Sequence, residues 1–349
     1  MVSWVWVLVL LGAVWLADWG ADHLANPLRK IRQQWGITGT GGAAVLAIVT
    51  ASPEVAINTT SALRGVGGIG LGNMLGSNIV SFPLIFTVAY LASRRQLRDN
   101  GGTTQQNSNR DSPSDGEDTH AVHLQQRLLR LEKRTVTVLA LPYLGILALL
   151  SLLTLPEPWQ GLQPIDGIIM LIAYGLYLGQ AVYRGREEGE SVEWSKRELG
   201  LAAAGVGALA VGAYFTVRAT ENLVAAFGIS EVIGGLFITA TMSTTPEVFK
   251  TWRVVKSGQI TAGTTSVVAD NAVTVTIGFL PLALVTVPIQ NMQLFVVNLA
   301  FVALMPTALA LLVHFGSVEH GLKRWQVGVL DGIYLLYLLV MVIGVLHLL

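Results

Sequence analysis

Two short stretches set a helix breaker beside an acid inside segments that are otherwise apolar: Thr50-Ala51-Ser52-Pro53-Glu54 and Ser243-Thr244-Thr245-Pro246-Glu247. Proline removes a backbone donor and clashes with the preceding turn. In hydrocarbon a freed carbonyl is costly unless it faces protein, water or an ion. An ionisable side chain at that depth is rare, and by default it marks a functional position. Pro53 and Pro246 are therefore expected to break their helices at mid-depth, exposing carbonyl oxygens next to Glu54 and Glu247. Hydroxyls crowd the same turns, and an all-oxygen donor set suits a cation.

The two stretches are copies of one pattern. Glu54 and Glu247 stand 193 residues apart, and the same offset carries Pro53 onto Pro246, Val55 onto Val248, Gly70 onto Gly263 and Asn78 onto Asn271. It also pairs Thr50 with Ser243, Ser77 with Asp270 and Ser81 with Thr274. In both copies the matching polar position, Ser77 or Asp270, follows the Glu by 23 residues. The cation-binding candidates are thus Glu54, Glu247, Asp270, Thr50, Ser243 and Ser77, with Asn78, Asn271, Ser81, Thr274 and Thr244 behind them. Each hydroxyl has a competing role in bonding back to its own helix. Each Asn has one in joining helices, as do the small residues Gly72, Gly76 and Ala269, which allow close approach. Asn73 and Ser266 rank below these.

The elements that carry the pattern follow from composition. The chain has 349 residues, 52% hydrophobic and 13% charged, with mean hydropathy +0.57. A soluble domain carries about 25% charged residues, and apolar runs of about 20 suffice to cross a bilayer. The chain reads as an all-α polytopic membrane protein with ten spans, near 2–21, 38–62, 68–93, 135–155, 164–183, 198–220, 228–250, 262–288, 292–314 and 326–348. The offset moves span 2 onto span 7 and span 3 onto span 8. A shift of five reverses direction, so the copies form inverted repeats, an arrangement that places a site where they meet. The organisation is a first half over 1–94 (repeat 38–93), a linker over 95–134, spans over 135–183, a loop over 184–197 and a second half over 198–349 (repeat 228–288).

Twenty of the 22 Lys and Arg fall in loops that follow odd-numbered spans, leaving Arg64 and Arg218 on the other side. The positive-inside rule then puts those loops in the cytoplasm and both termini outside. Short loops suit a prokaryotic inner membrane. The 95–134 segment is polar and lacks an apolar period, as a disordered linker would; its Asp-Ser-Pro-Ser-Asp-Gly-Glu-Asp run lacks the ligand pattern of an EF-hand loop. The basic stretch that follows is expected to extend span 4 or to rest on the leaflet. Asp22 and Glu221 are read as caps at span ends, and the six histidines as anchors or solvated groups. The first segment lacks a basic n-region and is kept as a span. Net charge is zero, which gives no case for nucleic acid, and no cysteine is present for thiolate chemistry. No HExxH or GxSxG motif marks an intramembrane enzyme, and no selectivity-filter sequence marks a channel.

At these residues the sequence resembles the calcium/cation antiporter superfamily, the sodium/calcium exchanger type in particular. That family carries two inverted repeats, each with a Gly-Thr-Ser-x-Pro-Glu turn and a Gly-Ser-Asn cluster. The counterparts are Val49 to Glu54 and Met242 to Glu247, with Gly76-Ser77-Asn78 as the first cluster. The resemblance implies alternating access, with Glu54 and Glu247 as central ligands shared by Ca2+ and its exchanged ion, and spans 1 and 6 sliding over the core. The second cluster departs, reading Ala269-Asp270-Asn271, and Ser81 and Thr274 stand where the family places Asn or Asp. Three carboxylates remain around the centre, enough for a divalent cation. The expected activity is exchange of Ca2+ for Na+ or H+, without a cofactor and with the lipid bilayer and inorganic cations as partners. A monovalent Na+ or K+/H+ antiporter is the alternative.

Overall fold

The computed structural model describes residues 2–37, 39–100, 128–130, 133–157, 159–184, 189, 191–257, 260–315 and 321–346. Within them helices dominate. Six are long and apolar enough to cross a membrane: Trp4–Gln34, Gly67–Arg94, Pro164–Tyr183, Lys196–Phe227, Met292–Phe315 and Arg324–Val345.

In chain order the helices are α1 (Val2–Gln34), α2 (Gly39–Thr50), α3 (Ser52–Leu63), α4 (Gly67–Asn100), α5 (Lys133–Thr154), α6 (Pro164–Arg184) and α7 (Lys196–Phe227). Then come α8 (Glu231–Ile233), a π-helical stretch over Gly234–Thr239, α9 (Ala240–Lys256), α10 (Ile260–Thr274), α11 (Leu280–Leu284), α12 (Met292–Phe315) and α13 (Arg324–Leu339), which ends in a π turn over Val340–Val345. The expected spans at 38–62 and 262–288 are each interrupted: α2 and α3 part at Ala51, and α10 and α11 part over 275–279.

Helices α1 and α7 run antiparallel and pack along their length. Partners rise in number on one as they fall on the other: Leu10 shares a cluster with Ala219 and Leu223, Gly212 abuts Ala17, and Gly205 abuts Gly20. The approach is backbone to backbone, since a Cβ on Gly20 would lie 2.5 Å from the Gly205 carbonyl oxygen. An ion pair between Lys30 and Glu198 closes one end. Large apolar side chains, among them Leu8, Trp15, Val206 and Phe215, point outward, as a lipid-facing surface requires.

The main core gathers α2, α4, α5, α6, α9, α10, α12 and α13. Glycines set a tight backbone contact where α4 meets α8 and the π stretch that follows it. A Cβ on Gly72 would lie 2.2 Å from the Val232 carbonyl oxygen, and one on Gly76 2.5 Å from that of Leu236.

Two expectations change. Pro246 does not break its helix, because α9 runs through it. The hydroxyls of Ser243 and Thr244 bond to the Ala240 carbonyl and that of Thr245 to the Thr241 carbonyl, so all three turn back onto their own helix. The backbone departs from α geometry earlier, in the π stretch. The 95–134 segment is not linker throughout: α4 reaches Asn100, and Leu128–Arg130 pairs antiparallel with Gly321–Lys323. Its remaining polar part, including the acidic run, lies outside the described residues.

Candidate functional site

Pro53 is the second residue of α3, two positions after the break at Ala51. This arrangement points the end of α2 and the start of α3 at a common space. Across from them stands the hydroxyl-rich turn of α9. A small cavity between the two is lined by Thr50, Pro53, Glu54, Ile57, Ser243 and Glu247, and by Val14, Ala17 and Asp18 of α1. Four of the residues singled out by the repeat, Thr50, Glu54, Ser243 and Glu247, therefore share one cavity.

Glu54 is 3% exposed, and its Oε2 is buried without a hydrogen-bond partner. Glu247 lies within electrostatic reach of Glu54 and of Asp270. Asp270, on α10, joins the group through Thr50, whose hydroxyl donates to its Oδ1. Among the described residues no three acid or histidine side chains close into a metal-ligand cluster. Of the acids, Asp18, Glu54 and Glu247 line the cavity, and Asp270 stands behind Thr50.

The other candidates take different places. Ser77 is buried on α4 with its hydroxyl toward the Met74 carbonyl at 3.4 Å. Thr244 and Thr274 bond back to Ala240 and Asp270 carbonyls on their own helices. Asn78 receives the Tyr143 hydroxyl at 2.7 Å. Asn271 donates to the Asn78 carbonyl at 3.5 Å and to the Ser81 hydroxyl at 3.2 Å. A further chain of bonds reaches the cavity wall, from Ser243 to Asn73 at 3.3 Å, Asn73 to Asn58 at 3.0 Å and Asn58 to the Gly278 carbonyl at 3.2 Å.

Three residues went unread in the sequence. Asp18 sits in the apolar first span, where an acid is itself a signal, but it has no mate at the repeat offset. Lys250, counted there as a loop cation, lies inside α9 and pairs with Asp18 at 2.5 Å and Asp22 at 2.8 Å. Asn58 carries no charge to draw notice. Asp22 and Glu221 are not simple caps. Asp22 holds Lys250, and Glu221 takes Arg64 at 2.8 Å and Arg218 at 3.1 Å, because Lys250 and Arg64 reach across from other helices and Arg218 from one turn away.

Apolar outer faces around a carboxylate-lined interior cavity define an integral membrane protein built to admit something polar. The chain belongs to the sodium/calcium exchanger protein family, whose profile matches residues 4–183 and 198–343, and so to the calcium/cation antiporter superfamily. A stretch of 94 residues is 33% identical to the sodium/calcium exchanger MaX1 of Methanosarcina acetivorans, a match spanning 27% of this chain and 27% of that relative. The fold is similar to that of the sodium-calcium exchanger NCX_Mj soaked with 10 mM Na+ and zero Ca2+, with a TM-score of 0.61 and 18% identity over 97% of this chain and 99% of that one. It is also similar to the H+/Ca2+ exchanger CAX, with a TM-score of 0.63 and 15% identity over 96% of this chain and 79% of that one.

Proposed function

We propose that this protein is a secondary antiporter that exchanges Ca2+ for Na+ or H+ by alternating access. Glu54 and Glu247 are the central ligands, with Asp270, Thr50, Ser243 and Ser77 around them. One observation carries the reading: two residue pairs related by the repeat offset, Glu54 with Glu247 and Thr50 with Ser243, line the same cavity. Asn271 also touches its own repeat mate, Asn78. Residues meet their symmetry mates only near a symmetry axis, so both facts support two inverted five-span repeats and a count of ten spans, four of them short or broken. Transport requires a site that releases its cargo, and a cavity with an unpartnered carboxylate oxygen suits that better than a closed cluster.

In this reading the odd-numbered loops and the 95–134 segment are cytoplasmic, the termini lie outside, and the membrane is a prokaryotic inner membrane. Proton coupling has support of its own. Ser81 and Thr274 offer no charge, and both are engaged, Ser81 with Asn271 and Thr274 with the Asp270 carbonyl. The positions where the family places Asn or Asp thus add no carboxylate for a second sodium.

The deciding experiment is Ca2+ uptake into proteoliposomes, driven by an outward Na+ gradient or an outward H+ gradient, with Glu54→Gln and Glu247→Gln as blanks. Uptake under either gradient that both variants abolish is the expected result. Wild-type rates in both variants remove the site assignment. No Ca2+ flux under either gradient moves the reading to the monovalent Na+ or K+/H+ antiporter.

A further inference from the structure

Asp18 and Lys250 have no place in the repeat, yet they join the moving candidate α1 to the site. Asp18 lines the cavity beside Glu54 and Glu247. Lys250 follows Glu247 by three residues, which places it one turn along the same face of α9. Its ammonium bridges Asp18 at 2.5 Å and Asp22 at 2.8 Å. Glu54, also a lining residue, has a buried Oε2 that no protein donor reaches.

We propose that Lys250 is a latch and built-in counter-cation: paired with Asp18, it holds α1 against α9 and closes this side of the cavity. The proposal rests on the cation-site reading above and extends it to Asp18, as a carboxylate that an arriving cation takes from Lys250. While the pair is intact, Asp18 adds no net charge to the cavity. Once Lys250 leaves, the cavity gains a carboxylate and α1 loses its tie to α9, so opening and binding strengthen each other. Asp22 makes the exchange feasible. It is 56% exposed against 12% for Asp18, so Lys250 can stay paired with it at the half-exposed edge rather than stand alone, and an unpaired buried charge would be strongly destabilising. Lysine suits the part, being a compact point charge on a flexible stem. Arg64 and Glu221 tie the turn after α3 to α7, but neither lines this cavity.

The chain has no cysteine, so a single thiol reports access without background. Val14→Cys places it on the cavity wall. The rate of modification by a small charged thiol reagent is then compared for Val14→Cys alone and with Lys250→Met, Lys250→Arg, or Asp18→Asn together with Lys250→Met. The double variant removes both charges and leaves neither partner orphaned, which guards against misfolding. Loss of one partly buried ion pair should raise the rate up to about fivefold in Lys250→Met and in the double variant, with Lys250→Arg within about twofold of the parent. Equal rates in all four proteins overturn the latch. Faster labelling in a protein that shows no Ca2+ flux keeps the latch and removes the Ca2+ reading, so the two failures are told apart.

Discussion

Glu54→Gln separates the folding role of this residue from its function, because the two should move in opposite directions. Glu54 is 3% exposed, and its Oε2 has no partner. Glu247, Asp270 and Asp18 are the acids around it. A buried polar atom without a partner costs about 1–3 kcal/mol, and more when charged. Glutamine keeps the shape, removes one of the crowded charges and supplies an amide donor to the neighbouring carboxylates. The cation-free variant should therefore be more stable than the wild type by about 1–3 kcal/mol. Added cation reverses the order. A ligand at 100 times its dissociation constant stabilises the form that binds it by about 2.7 kcal/mol, and the variant should lose that gain. The assay is thermal unfolding of detergent-purified protein, with Ca2+ chelated and then with Ca2+ saturating. The wild-type midpoint should rise with Ca2+ and the variant midpoint should start higher and stay fixed. A variant less stable than wild type in chelator would refute the orphaned-oxygen argument. A variant that keeps the full Ca2+ shift would remove Glu54 from the ligand set.

Gly72→Ala should destabilise by about 1–3 kcal/mol through overpacking, because the new Cβ would meet the Val232 carbonyl oxygen at 2.2 Å and the Leu236 amide at 2.7 Å. Gly207→Ala, which meets nothing within 4 Å, should instead gain about 0.5–1 kcal/mol, and equal melting midpoints for the two would contradict the packing. Tyr143→Phe leaves Asn78 Oδ1 without its 2.7 Å donor, which should cost about 1–3 kcal/mol while the Ca2+-induced shift in midpoint stays as in wild type; a lost shift would place Asn78 in the site. Asp270→Ser copies Ser77 onto its repeat mate and frees the Thr50 hydroxyl, so the ratio of Na+-driven to H+-driven uptake should change while activity persists, and an unaltered ratio excludes Asp270 from the site.

What could be read from the sequence was whatever is rare in an apolar setting and occurs twice. Glu54 and Glu247 carry charge where charge is costly, prolines mark them, and the offset pairs them; the structure puts both on one cavity. The same filter hid Asp18, because the residue 193 positions on is Val211. Lys250 is the last residue of the expected span 228–250 and is counted with the loop that follows it. An apolar run gives no sign of where its helix stops, and α9 continues to Lys256, keeping this cation beside α1. Glycine spacing identified α4 as a close-packing helix without naming its partner. That partner is α8 with the π stretch that follows it, and only three-dimensional contact reveals a backbone oxygen 2.2 Å from where a Cβ would stand.

The proline positions show how two copies of one pattern reach unequal structures. Pro53 follows a true break at Ala51, whereas Pro246 lies within a continuous helix whose neighbouring hydroxyls bond back to carbonyls of the turn before it. The second half opens instead after Thr274, over a stretch that contains Gly278. The corresponding stretch of α4, although it contains Pro83, stays helical. Each half thus has one interrupted helix, but the interrupted helices are not repeat mates. They are neighbours: Thr50 at the end of α2 bonds to Asp270 on α10, and Asn58 on α3 bonds to the Gly278 carbonyl. The rest of the wall is formed by α9 and α1, with α4 behind α9, joined to it through Asn73 and Ser243. One side of the cavity is therefore built from interrupted backbone, whose freed polar groups need partners, and the other from helices that run on without a break. The repeat decides which residues meet, and local hydroxyls and glycines decide which helix opens.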